Sequence, residues 1–83
     1  MRIYLQTPAA PDQSPRFCHL ILQEDMLDGW TLIRESGSQG KAGRIKKEHF
    51  QDRDQAERAL VRARDDQTRR GFRVVFSQGN AVR

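Results

Sequence analysis

Cysteine is nearly absent from this chain of 83 residues. Its single thiol, Cys18, excludes an internal disulfide framework and leads us to expect a reducing, cytoplasmic compartment. No C-x-x-C or H-x-x-x-H spacing occurs, and His19 and His49 stand far apart, so no metal site is expected. Long apolar runs are missing too: nothing approaches the roughly 20 residues that cross a bilayer. The opening M-R-I-Y-L-Q-T-P lacks the apolar core of a secretory signal. Proline is scarce, with all three copies confined to the stretch Pro8 to Pro15. A catalytic constellation is equally lacking, because no nucleophile, base and orienting group can be assembled from the residue pattern. The stretch G-S-Q-G-K-A-G invites comparison with a phosphate-binding loop. Glu35 occupies the position of that motif's first glycine, Ala42 follows Lys41, and a strand rather than a helix comes next. No enzymatic activity, cofactor, small-molecule substrate or membrane partner is therefore expected.

What the chain does have is charge. Charged residues make up 31% of it with the signs interspersed, the composition of a soluble, folded chain. Its pI is about 10.0. The excess is concentrated: between positions 34 and 47, Arg34, Lys41, Arg44, Lys46 and Lys47 stand against Glu35 alone. That local surplus matches the whole chain's net charge of +4. Clustered cations of this kind set up a field that attracts polyanions. Arg34, Lys41, Arg44 and Lys46 are the candidate phosphate contacts, with the two arginines preferred because a guanidinium forks onto phosphate oxygens. Lys47 falls on the opposite strand face and is an outside candidate. The competing explanation is an ordinary solvated sheet edge, on which lysines discourage strand-to-strand aggregation.

Periodicity supplies the scaffold. Arg2 to Thr7 alternates as a short strand, and the proline-bearing stretch Pro8 to Pro15 must be a loop. Phe17 to Gln23 is apolar on both faces, which predicts a central strand. Glu24 to Gly29 is a polar turn, and Trp30 to Ser36 a third strand with Trp30, Leu32 and Arg34 on one face. Gly37, Gly40 and Gly43 follow at intervals of three, permitting positive φ in a tight connection to a fourth strand, Arg44 to Phe50. So short a connection implies an antiparallel hairpin. From Asp52 the period changes. Asp52 is an N-cap with Gln55 at the capping-box position, and Ala56, Ala59, Leu60, Ala63 and Gln67 recur at helical spacing. Gly71 is suited to the residue after the C-cap, so a helix is predicted over about 53–70. Phe72 to Phe76 is a final strand. The order ββββαβ predicts an α+β fold, a single antiparallel sheet with one helix on a face. Residues 1–76 read as one domain and 77–83 as a flexible tail. Trp30 and Tyr4 read as structural residues.

The joined pattern G-W-T-L-I-R-E, a glycine turn into G-R-I-K-K-E-H-F, an alanine-rich helix and then R-R-G-F resembles the WGR domain, in its stand-alone bacterial form. The resemblance covers residues 17–76. It places Trp30 at the aromatic after the family's glycine, Arg34 and Glu35 before the namesake tripeptide, Gly37 at the tripeptide's centre and Gly71-Phe72 at the pair after the helix. Ser36 and Ser38 then stand where the namesake tryptophan and arginine would be, and Gln67 where many relatives carry lysine. In the poly(ADP-ribose) polymerases those two namesake side chains meet a DNA end. The resemblance thus implies a non-catalytic binding module whose partner is a nucleic acid, DNA rather than RNA. The alternative is a protein-interaction module that has lost DNA-end binding, contacting an unidentified protein through an exposed edge or apolar patch.

Overall fold

The computed structural model describes residues 1–26 and 28–79. Strands β1 (Arg2–Gln6), β2 (Arg16–Asp25), β3 (Gly29–Ser38) and β4 (Arg44–Phe50) precede helix α1 (Arg53–Arg69), and β5 (Arg73–Gln78) follows it. The order is ββββαβ, as the periodicity predicts. All five strands join one antiparallel sheet in the order β4-β3-β2-β1-β5. β1 to β4 form a meander, and α1 returns the chain so that β5 pairs with β1 at the far edge. β2 lies in the middle, with Cys18, Leu20 and Leu22 buried on its helix side and Phe17, His19 and Ile21 half-buried on the other.

Alternate residues of the central strands form the buried layer. Ile3, Leu5, Cys18, Leu20, Leu22 and Leu32 pack with Ala56, Ala59, Leu60 and Ala63 of α1. The alanines let the helix sit close to the sheet, and Leu60, fully buried, is its anchor. Met1, Trp30, Phe50 and Phe72 pack against the margin of this core. Trp30 is half-buried and carries the guanidinium of Arg53 over its ring at 5.1 Å.

Both ends of α1 are closed by local chemistry. The Asp52 carboxylate accepts from the Asp54 N–H at 3.0 Å. Gln55 makes no reciprocal side-chain bond among the described residues, so the N-terminus has a single cap rather than a full box. At the other end the Phe72 N–H donates to the Gln67 carbonyl (3.0 Å) and the Gly71 N–H to that of Thr68 (3.1 Å). This is the Schellman arrangement, with Gly71 at φ +97° and Phe72 packed on the core.

Several boundaries differ from the sequence reading. β2 continues through Asp25 and β3 starts at Gly29 and continues through Ser38, so both outlast their apolar patterns. Pairing continues because the partner ladder supplies backbone hydrogen bonds whatever the side chain. Of the three spaced glycines Gly37 lies within β3, and only Gly40 has positive φ (+81°). The others serve close approach: a Cβ on Gly43 would lie 2.7 Å from the Ser36 carbonyl oxygen and 3.2 Å from the Phe17 ring. Ser77 and Gln78, expected in the tail, pair with Ile3 and Arg2. The rest of that expected tail, residues 80–83, lies outside the described residues.

Candidate nucleic-acid interface

The pairing register carries the positive residues of the hairpin to defined places. Arg34 lies opposite Lys46, Ser36 opposite Arg44, and Ile33 opposite Lys47. With the period of two, Arg34, Ser36, Ser38, Arg44 and Lys46 share the face on which α1 packs, and Lys47 lies on the other. α1 ends before it covers this end of the sheet. The uncovered part is a shallow recess lined by Arg16, Ser36, Gly37, Ser38, Lys41, Ala42 and Arg44. It runs toward Gln13 and Ser14 on one side and toward Thr7, Gln67, Arg70 and Phe72 on the other.

Of the five cations singled out from the sequence, the structure brings Lys41 and Arg44 into this recess. Arg34 and Lys46 lie one register step along the same face, with Arg34 half-buried and Lys46 exposed. Lys47 faces away. Two cations that sequence reasoning missed, Arg16 and Arg70, complete the lining. Arg16 arrives because β2 begins one residue earlier than its apolar pattern and pairs with Ser38. Arg70 arrives because it is the C-cap of α1. The one sequence signal for Arg16 was its parity with Cys18 and Leu20, which places it on the helix face.

The backbone under the recess is held firmly. Arg16 donates its N–H to Thr7 Oγ1 at 2.8 Å and accepts the Thr7 N–H at 2.9 Å. The Gln39 N–H donates to the Pro15 carbonyl at 2.9 Å, tying the hairpin tip to the approach of β2. No carboxylate lines the recess, and Arg16, Lys41, Arg44 and Arg70 form no ion pair among the described residues. Such cations on a low-dielectric wall add their fields, whereas paired ones cancel at short range. The C-terminal dipole of α1 opposes an anion here, but the Schellman bonds occupy the Gln67 and Thr68 carbonyls and Arg70 offsets the remainder. Beneath the sheet surface, burial pushes the Cys18 thiol above its ordinary range, an effect the nearby Arg34 charge partly offsets. The thiol is a core group and not a nucleophile.

At the opposite end of the hairpin Asp25 accepts from the Gly29 N–H (3.1 Å) and Thr31 Oγ1 (2.8 Å), and its Oδ2 lies 2.7 Å from His49 Nδ1. This cluster closes the β2–β3 turn. Among the described residues no group of three His, Cys, Asp or Glu side chains is placed to hold a metal ion. No helix of the described residues is long and apolar enough to cross a membrane.

Residues 1–79 match the family model of the WGR domain. The chain belongs to the WGR family. The match is wider than the stretch 17–76 that carries the sequence motifs, because it takes in β1, the loop that follows it and the last residues of β5. WGR domains are nucleic-acid-binding modules and are not catalytic by themselves. Neither a comparison with curated proteins nor one with solved structures gives a match.

Proposed function

We propose that this WGR domain is a non-catalytic module that holds nucleic-acid phosphates, DNA rather than RNA, in the recess between the β3–β4 hairpin and the C-terminal end of α1. The observation that carries the reading is the set of four cations, Arg16, Lys41, Arg44 and Arg70, around a recess that no carboxylate enters. Guanidinium groups fork onto phosphate oxygens, and the hydroxyls of Ser36 and Ser38 are small donors at the floor. Arg34 and Lys46 extend the positive face along the hairpin. By motif correspondence the two serines replace the family's namesake tryptophan and arginine. No ring then stands there to stack on a terminal base, and contact with phosphate alone positions without reading sequence. Binding to duplex backbone without an end preference is the consequence.

The test is an NMR titration of labelled protein with a short duplex that has one free end and one nick, at low and then moderate salt. Salt-sensitive shifts on residues 34–47, Arg16 and Arg70 are expected. Absence of shifts at low salt refutes the reading. The protein-interaction reading rests on the unpaired outer edge of β5, where Val75 is 63% exposed. It takes precedence if the duplex leaves the spectrum unchanged and a protein partner shifts β5 instead.

A further inference from the structure

The sheet has a second face, opposite α1, and it sets aromatic rings among charged side chains. Register sets the side chains in rows across the strands. One row runs Phe76, Tyr4, His19, Glu35 and Ile45 on β5, β1, β2, β3 and β4. Three successive strands, about 4.8 Å apart, therefore each present a ring in the same row. Tyr4 and His19 meet edge to face with centroids 5.6 Å apart, and Phe17 lies nearly parallel to Tyr4 at 6.1 Å. Phe76 is 48% exposed, which leaves half of a phenyl ring on a soluble chain's surface without a partner.

The charges beside this row are of one dominant sign. Arg2 neighbours Tyr4 along β1, Arg73 lies opposite Gln6, and Lys47 lies opposite Ile33. None of the three forms an ion pair among the described residues. The carboxylates on this face are Glu35 and Asp25, and the charge of Asp25 is engaged with His49. A second copy of the chain is a poor occupant, since an isologous contact would press two faces with the same excess of positive charge against each other. A flexible polyanion with flat apolar rings fits both features. We infer that the open sheet face binds single-stranded nucleic acid, with unpaired bases stacking on Tyr4 and Phe76 and the backbone following Arg2, Arg73 and Lys47. Aromatic rings on the exposed face of an antiparallel sheet are a known physical solution to this task, because every base has a π face. His19, with its Nε2 buried and its ring edge-on to Tyr4, braces the Tyr4 ring, and burial and the Arg2 charge hold its imidazole below the ordinary pKa. The face is independent of the recess proposed above, and the two fail separately.

The experiment titrates the full chain with a thymidine oligonucleotide of about twelve residues, following aromatic side-chain signals by NMR and affinity by fluorescence anisotropy. Signals of Tyr4, Phe17 and Phe76 are expected to shift with ring-current character. Phe76→Ala should weaken binding about 5- to 150-fold, the range measured for loss of one base–aromatic stack. Phe76→Tyr should restore it, and Phe76→Leu, apolar but ringless, should not. R44Q should weaken duplex binding and leave the ring-current shifts that the oligonucleotide induces at Tyr4 and Phe76 in place. Unshifted ring signals, or a Phe76→Leu variant that binds as the wild type does, would overturn the inference. So would a dimer mass in light scattering whose formation alone moves these signals, since the face would then belong to a second copy.

Discussion

Removing one guanidinium from the recess gives the sharpest test of the proposed function. Arg44 is exposed, sits on an edge strand and makes no ion pair among the described residues, so Arg44→Gln should change stability by no more than about 0.5 kcal/mol. Its effect on binding is larger and has a defined form. If Arg16, Lys41, Arg44 and Arg70 each neutralise one phosphate, the slope of log K against log salt for duplex DNA is about −3.6. Raising salt from about 50 to about 200 mM then lowers wild-type affinity about 150-fold. The variant, with three contacts, has a slope of about −2.7 and loses only about 40-fold over the same range. The two curves converge at high salt because the lost term is counterion release. Fluorescence anisotropy of a labelled duplex at four or more salt concentrations reads both slopes. R58Q is the control: Arg58 lies on the outer face of α1 beside Asp54 and Glu57, away from the recess, and its slope should match the wild type. Equal slopes for wild type and R44Q would refute the recess as the phosphate site, even if the protein still bound DNA.

Three further expectations follow from burial. Leu60→Ala removes the fully buried anchor of α1 and should cost about 2–5 kcal/mol in a denaturant melt, with a much smaller loss contradicting the packing described. Cys18 is 3% exposed with its thiol pushed upward by burial, so alkylation at neutral pH should be slow in the native protein and fast in denaturant, and fast native labelling would show that this part of the core opens. His19 is held below its ordinary value of 6.5 by burial and by Arg2, with Glu35 opposing. The unfolded chain therefore takes up this proton at a higher pH than the native one. Stability should fall as pH drops below about 6.5 and stop falling once it passes the lowered native value. His19→Leu should flatten that part of the pH–stability curve; an unchanged curve assigns the dependence to another group.

Much of the fold was legible because it rests on local rules. Ala56, Ala59, Leu60 and Ala63 carry a 3.6-residue period that only a helix satisfies, and all four are buried. Asp52 and Gly71 mark its ends through the backbone groups they cap and the positive φ one of them adopts. The two-faced apolarity of β2 foretold its central place, and the short Gly-rich link foretold the hairpin. Strand ends were less legible: Asp25 and Ser38 are paired by partner backbone, which leaves no mark in side-chain pattern.

The site divides the same way. Lys41 and Arg44 were visible as a charge excess, since charge density is a property of the chain itself. Arg16 and Arg70 were not, because they are distant in sequence and enter the recess only through the Arg16–Ser38 pairing and the turn that closes α1. Likewise no sequence rule placed Phe76 across from Tyr4, a pairing that depends on the register shift between β1 and β5. The sequence by itself determined which residues are helical, which strands are buried and where positive charge lies along the chain. The tertiary structure alone decided which of those charges and rings share a surface, because side chains remote in sequence become neighbours only through the register of a folded sheet.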